Sequence, residues 1–283
     1  MTLYQIFELI YYSQITLVVL AIVLTASISA VVYNQFDWQV ILLVGISTYF
    51  TYSLDNLIDW KQDMERYRNI KSFIRTYHKV LYFLIPAAGI GIVCLTLISP
   101  NELKTGILLL GAAVAMGTSR FPSYRKNSSS PARSIFRFVI NRLFISIIWT
   151  TVCVFLPIWY RNNEILHLTW NAYAYTFCLI LPYAVMWKLE ASSEELRLRI
   201  LNSKIIRILT VLPVISMLIV INDVLQGLFP TINLLNLLPP IALIVSQVLF
   251  QKKHNNAKLR VFILTLVLIL LCGTSTLFLI LFR

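Results

Sequence analysis

Long apolar runs separated by short charged segments dominate this chain. A helix of about 20 apolar residues spans the roughly 30 Å hydrocarbon core of a bilayer, and only a helix satisfies its own backbone polar groups there. The pattern therefore predicts an all-α, polytopic membrane protein in which residues 1–283 form one integral membrane domain. About nine transmembrane helices are expected, near residues 14–34, 38–58, 79–98, 104–119, 138–158, 169–188, 206–223, 229–250 and 259–282.

Composition strengthens this prediction. Hydrophobic residues make up 58% of the chain and charged residues only 13%, whereas soluble domains are nearer half apolar and a quarter charged. A soluble globular fold is thereby excluded. Several predicted spans contain proline, which is tolerated in membrane helices where neighbouring helices satisfy the freed carbonyl groups; these are Pro86, Pro157, Pro182, Pro213, Pro239 and Pro240.

Positive charge is distributed unevenly between the two predicted faces of the membrane. Segments 59–79, 120–142, 188–207 and 251–260 hold all but three of the 24 Lys and Arg residues. Because basic loops stay on the cytoplasmic side, the N-terminus is expected in the cytoplasm and the C-terminus outside. The formal net charge of +12 then reflects topology and anionic lipid headgroups, and no nucleic-acid partner is expected.

Cysteine and histidine give no indication of a metal site or a disulfide. All four cysteines lie inside predicted spans without close pairing, and the three histidines are scattered over loops. Buried thiols of this kind act as small hydrophobic side chains.

Three carboxylates stand where the second predicted helix reaches the cytoplasm. Asp55, Asp59 and Asp63 follow at intervals of four residues, which places all three along one stripe of a helix. Like charges on one stripe repel each other unless a cation lies among them, and Mg²⁺ prefers such hard oxygen ligands. The alternative is a solvated helix end whose acids are neutralised by nearby Lys and Arg side chains.

The segment Asp55-Asn56-Leu57-Ile58-Asp59 and Asp63 resemble the first aspartate-rich motif of the UbiA family of intramembrane prenyltransferases, Asn-Asp-x-x-Asp-x-x-x-Asp, with the first two residues exchanged. The stretch from Arg137 through Trp149 to Leu156-Pro157 is similar to the fifth helix of small bacterial members. The resemblance implies nine helices around a central cavity and an active site under cytoplasmic cap loops, here about 59–78, 120–137 and 188–205. It also implies Mg²⁺ as cofactor.

The second acidic motif of the family, Asp-x-x-x-Asp after helix 6, is altered here. Glu190 and Glu194 keep its spacing, but Trp187 stands where the family has a preceding Asp. The longer Glu side chain places its oxygens differently, and clamps of two metal ions need tight placement. Glu190 and Glu194 are thus candidate metal ligands beside the aspartates, and the alternative is a solvated amphipathic helix that faces Arg197 and Arg199.

The resemblance also implies residues that bind a diphosphate. Arg66 and Arg68 follow the first motif in place of the family's Arg-Pro, and Lys126 lies in a Tyr124-Arg125-Lys126 sequence similar to a Tyr-x-x-Lys element. Together with Asn56 they are the candidate diphosphate-binding residues, because charge-assisted donors suit phosphate oxygens. Each basic residue has the alternative role of a positive-inside residue.

The expected function is transfer of an isoprenyl group from a prenyl diphosphate to a lipophilic or aromatic acceptor within the membrane. Asp55, Asp59 and Asp63 are the expected catalytic residues, and a bacterial plasma membrane with a cytoplasmic active site is the expected location. Two alternatives stay within the resemblance: a catalytically altered protein that binds a lipid or a partner protein, and a terpene cyclase. A transporter or channel is disfavoured because no relay of ionisable residues crosses the predicted helices.

Overall fold

The structure is a computed structural model that describes residues 10, 13–33, 36–62, 68–101, 104, 107, 131–161, 166–190, 204–228, 231–251 and 257–281. At several helix ends, among them 55–62, 68–79 and 131–137, only the backbone is described. The helices are α1 (Ile15–Tyr33), α2 (Trp38–Gln62), α3 (Arg68–Leu97), α4 (Pro131–Arg161), α5 (Leu166–Glu190), α6 (Lys204–Leu225), a 3₁₀ segment (Thr231–Leu237), α7 (Leu238–Gln251) and α8 (Ala257–Leu281).

The helices confirm the all-α prediction at eight of the nine apolar runs, and the described residues contain no strand. The fourth run, 104–119, lies outside the described residues except for Lys104 and Ile107. Three helices extend farthest beyond their apolar runs: α2 continues to Gln62, α3 begins at Arg68 and α4 begins at Pro131. Hydropathy marks only the part of a helix that suits lipid. The backbone hydrogen bonds of the helix continue into the charged residues on either side of that part.

The eighth run is divided where the sequence predicts one helix over 229–250. A 3₁₀ segment covers Thr231–Leu237 and α7 begins at Leu238. Pro239 and Pro240 explain the division, because proline lacks an amide N–H and is accommodated without loss of a helical hydrogen bond in the first turn of an α-helix. These two prolines therefore fall in the first turn of α7.

The main core is built around α1. Its buried side chains Leu17, Leu20, Leu24 and Ile28 pack with apolar side chains from α2, α4, α5, α7 and α8. Consecutive helices pack side by side from α1 to α3 and from α4 to α7, and α8 packs against both α7 and α1. A second, smaller cluster joins α4, α5 and α6 through Phe138, Val185, Leu189 and Leu209.

Contacts between distant residues define the two ends of the bundle. Tyr160 of α4 meets Gln39 of α2, and Asn171 of α5 meets Asp223 of α6, so these residues share what we call the Asp37 end. The start of α4 packs with the end of α5 and the start of α6 in the smaller cluster. Because α4 runs antiparallel to α2, this cluster lies toward the opposite end, which we call the Gln62 end.

Apolar length and surface agree with an α-helical membrane protein. Among the described residues, three stretches are long and apolar enough to cross a membrane: Ile15–Val32, Phe138–Tyr160 and Ile208–Leu225. Shorter apolar helices cover Trp38–Leu54, Tyr82–Leu97, Leu234–Val248 and Val261–Thr274. Large apolar side chains are exposed along α3 and α6, including Phe83 at 73% and Leu218 at 59%, a surface suited to lipid rather than water.

Candidate functional site

The acidic stripe begins on a continuous helix. Asp55, Asn56 and Asp59 all lie within α2, which runs unbroken from Trp38 to Gln62. Their backbone is described and their side chains are not. Since four residues advance an α-helix by about 6 Å and turn it by little more than one revolution, the positions of Asp55 and Asp59 share one face of α2. Asp63 lies outside the described residues.

The remaining predicted site residues are described only in part. Glu190 is the last residue of α5 and Arg68 the first residue of α3, and for both only the backbone is described. Arg66, Lys126 and Glu194 lie outside the described residues. The described residues therefore locate the helix ends that carry Asp55, Asp59 and Glu190, and they leave the predicted diphosphate contacts as predictions.

Aromatic side chains lie one turn before two of the acidic positions, Asp55 and Glu190. Tyr52, three residues before Asp55, packs edge-on against Trp149 of α4 with ring centroids 5.9 Å apart. Trp187, three residues before Glu190, packs against Tyr183 with centroids 6.0 Å apart. Tyr52, Trp149 and Trp187 all pack against the main core. The helix ends that carry the two acidic positions are thus fixed to one core by aromatic contacts.

Trp187 is the residue that the resemblance to the UbiA family sets against an aspartate of the second motif. Its ring packs on Tyr183 and on the main core, which is a structural role for an apolar side chain. An indole offers a single N–H donor and no oxygen to a metal ion. Trp187 therefore offers a metal ion no oxygen ligand.

The position of Glu190 along the bundle axis can be compared with those of Asp55 and Asp59. At 1.5 Å per residue, Asp55 lies about 5 Å and Asp59 about 10 Å beyond Tyr52 toward the Gln62 end. Along α4, Phe138 lies about 16 Å beyond Trp149 in the same direction, and it shares the smaller cluster with Leu189. Glu190 therefore lies at a depth nearer to Asp59 than to Asp55.

At the opposite end of the bundle the structure reveals a buried carboxylate that the sequence analysis missed. Asp223 is only 3% exposed, and its Oδ1 accepts a hydrogen bond of 2.7 Å from Nδ2 of Asn171. One turn further along α5, the Tyr175 hydroxyl donates to the backbone carbonyl of Asn236 at 2.9 Å. Asn171 and Asp223 both stand at the edges of apolar runs, but nothing in their local pattern indicates that they pair.

Backbone hydrogen bonds at the end of α6 fix the main chain of Asp223. Gly227 has a φ of +69°, and the amides of Gly227 and Leu228 donate to the carbonyls of Val224 and Asp223. This pair of bonds is a Schellman motif, which needs a residue that tolerates positive φ at the glycine position. The backbone of Asp223 is therefore fixed by the helix end while its side chain bonds to α5.

A second contact at the Asp37 end joins α2 to α4. The Tyr160 hydroxyl donates to Oε1 of Gln39 at 2.5 Å. Asp37 is 7% exposed and its carbonyl accepts the amide of Ile41, which identifies it as the N-cap of α2. Trp170, Tyr173 and Phe155 form an aromatic cluster on α4 and α5 near the same end, as expected of side chains at a membrane interface.

The fit of Mg²⁺ to the chain rests on the acidic end of α2. Among the residues whose side chains are described, no three of His, Cys, Asp and Glu lie close enough to share a metal ion, a set that excludes Asp55 and Asp59. Two carboxylates one turn apart on one helix face offer the hard oxygen ligands that Mg²⁺ takes. The donor chemistry thus fits the ion.

Comparison with known proteins adds no relative. No protein-family model, curated protein or solved structure matches this chain.

Proposed function

We propose that the chain is a Mg²⁺-dependent prenyltransferase of UbiA type, with nine transmembrane helices and its active site at the Gln62 end, on the cytoplasmic side. The observation that carries the proposal is the unbroken α2, which sets Asp55 and Asp59 one turn apart directly beyond an apolar, aromatic-lined helix. A diphosphate held at these acids would leave its isoprenyl chain among apolar side chains. This arrangement suits a substrate with a charged head and a hydrocarbon tail.

In this proposal the carboxylates of Asp55, Asp59 and Asp63 bind Mg²⁺, which when bound neutralises charge on the diphosphate. Arg66, Arg68, Lys126 and Asn56 donate hydrogen bonds to phosphate oxygens and stabilise the charge of the leaving group. The allylic C–O bond breaks with its electron pair on pyrophosphate. The acceptor supplies the electron pair of the new bond to the isoprenyl carbon and releases a proton.

Among the side chains that the structure describes, Tyr52 and Trp149 form an aromatic pair one turn before Asp55. Their rings pack edge-on with centroids 5.9 Å apart, beside the main core. Aromatic faces stabilise cations by about 0.5–2 kcal/mol, which would favour an allylic cation that forms beside them. We assign these residues to stabilising the reacting carbon and excluding water from it.

A second candidate function has specific support. Trp187 packs into the core where the family motif supplies an acidic residue, and the two acids that follow are Glu190 and Glu194 rather than Asp. A site with fewer or differently placed ligands could bind a prenyl diphosphate without transferring its prenyl group. A lipid-binding relative with altered catalysis, or a terpene cyclase that needs no acceptor, follows from the same site.

The test is pyrophosphate release by the purified protein in lipid, with prenyl diphosphates of several chain lengths and a panel of acceptors. The proposal predicts release that requires both Mg²⁺ and an acceptor and that stops when a chelator is added. Release without any acceptor would identify a cyclase. Binding of the same diphosphates without release would favour the relative with altered catalysis. If the protein neither binds the diphosphates nor releases pyrophosphate, the UbiA-type site is rejected.

A further inference from the structure

Helix α6 is attached to the bundle differently from its neighbours. None of its described residues belongs to the main core, and its apolar side chains Ile208, Val211 and Leu218 are each more than half exposed. Its contact with the bundle at the Gln62 end is the smaller cluster, to which it contributes Leu209 and Leu212. At the Asp37 end it is fixed by the hydrogen bond between Asn171 and Asp223. Helix α6 thus packs along α5, with a polar contact at the Asp37 end and the apolar side chains of Leu209 and Leu212 at the Gln62 end.

Pro213 interrupts the hydrogen-bond ladder between these two halves. A proline inside a helix has no N–H to donate, so the carbonyl four residues earlier loses its partner. In α6 this is the carbonyl of Leu209. The hydroxyl of buried Ser216 also donates to the carbonyl of Pro213 at 2.7 Å, a local bond of the kind that accompanies helix bends.

The freed carbonyl of Leu209 is bound by a side chain from another helix. Nε2 of Gln247 on α7 donates to it at 3.1 Å, and Gln247 is only 6% exposed. This bond confirms for Pro213 the expectation that neighbouring helices satisfy the carbonyl groups freed by proline. Gln247 is therefore the residue that ties the helix on the Gln62 side of Pro213 to α7.

Only one of the two polar atoms of the Gln247 side-chain amide has a hydrogen-bond partner among the described residues. Oε1 of Gln247 is buried and has no hydrogen-bond partner among the described residues. A buried polar atom without a partner loses its hydration and gains nothing in return. Release of the side chain to water or lipid headgroups would recover that loss, so Gln247 holds α6 less strongly than a glutamine with both polar atoms bonded would.

From this geometry we propose that α6 is a hinged helix. Its segment Lys204–Leu212 swings about Pro213, and the hydrogen bond from Gln247 to the carbonyl of Leu209 latches it to α7. In the released state Leu209 parts from Phe138, Val185 and Leu189, and this small apolar cluster opens to the lipid. The proposal depends on α6 and α7 alone and stands whether or not the chain transfers prenyl groups.

The test is hydrogen–deuterium exchange of the full chain in lipid nanodiscs, followed in peptides that cover residues 204–216. Gln247→Leu removes the donor and keeps an apolar side chain of similar size. Exchange should become about three- to tenfold faster, the ratio that one ordinary hydrogen bond supports. Gln226→Leu is the matched control, because Gln226 is exposed at the other end of α6, and it should leave exchange in these peptides unchanged.

Pro213→Ala tests whether the effect of Gln247 comes from its hydrogen bond to the carbonyl of Leu209 or from side-chain packing alone. The new N–H of Ala at position 213 can bond to the carbonyl of Leu209, so this variant should exchange more slowly than the parent. In its background Gln247→Leu should have little further effect. An equal acceleration in both backgrounds, or none in either, would overturn the proposal. If Gln247→Leu does not fold, Pro213→Ala alone decides: slower exchange supports the hinge, and unchanged or faster exchange contradicts it.

Discussion

Acidic residues occur at both ends of this bundle, in different settings. At the Asp37 end, Asp37 and Asp223 are both buried: Asp37 is the N-cap of α2, and Asp223 accepts a hydrogen bond from the side-chain amide of Asn171 on the preceding helix, α5. At the Gln62 end, Asp55 and Asp59 repeat with the period of one helix face, beside segments rich in Lys and Arg. A single buried acid that bonds to a neighbouring helix serves the fold. Acids that repeat along one helix face are suited to binding a ligand.

One substitution at each end of the bundle distinguishes the two acidic settings most clearly. Asp59→Asn should lower prenyl-transfer turnover by about two orders of magnitude, because it removes a charged oxygen ligand with little change in volume. Asp37→Asn is the matched control: asparagine is as good an N-cap as aspartate, so turnover should persist. The measurement is initial velocity at saturating substrate. Equal loss in both variants, or full turnover in Asp59→Asn, would remove the distinction between the ends.

The second prediction concerns the pair at the Asp37 end. A double-mutant cycle of Asn171→Leu and Asp223→Leu should give a coupling free energy of about 1–2 kcal/mol, above the average for hydrogen bonds in membrane proteins because a carboxylate is involved. Unfolding of the protein in lipid or mild detergent measures it. The turnover per folded molecule should stay near that of the parent. A coupling near zero would mean that Asn171 and Asp223 do not act as a pair.

The smallest predicted effect tests how closely α2 is packed between these two ends. A Cβ built on Gly45 lies only 2.7 Å from Cδ1 and 2.8 Å from Cγ1 of Ile22 on α1, whereas one on Gly91 of α3 has its nearest contact at 3.6 Å. Gly45→Ala should therefore lower the free energy of unfolding by about 1 kcal/mol through overpacking. Gly91→Ala should be neutral or gain up to about 1 kcal/mol from helix propensity. The opposite order of the two variants in thermal unfolding would show that α1 and α2 can move apart freely.

The sequence predicted the helices well because a run of apolar residues is a local pattern that can be read without knowing which helices become neighbours. The eight apolar runs that the structure describes are helical, and the spacing of Asp55 and Asp59 could be read directly because α2 is continuous. The division at Pro239 and Pro240 was missed because the run remains apolar on both sides of the prolines. Their fit in a first turn depends on where the helix begins.

Contacts between distant segments were beyond prediction from this single chain. Asn171 and Asp223 are 52 residues apart, and the pairing of Gln247 with the carbonyl of Leu209 spans 38 residues. Each pairing depends on which helices become neighbours, a choice that periodicity does not determine. The role of Trp187 is of the same kind, since only its packing on Tyr183 shows that it belongs to the core.

If the acids at the Gln62 end bind a prenyl diphosphate through Mg²⁺, a diphosphate analogue should bind only when the ion is present. The most direct measurement is the affinity of the protein in lipid for a non-reactive prenyl thiodiphosphate, with and without Mg²⁺, in the parent, Asp59→Asn and Asp37→Asn. The account predicts binding that requires Mg²⁺, that weakens at least about tenfold in Asp59→Asn and that is unchanged in Asp37→Asn. Binding of equal strength without Mg²⁺, or equal weakening in both variants, would contradict it.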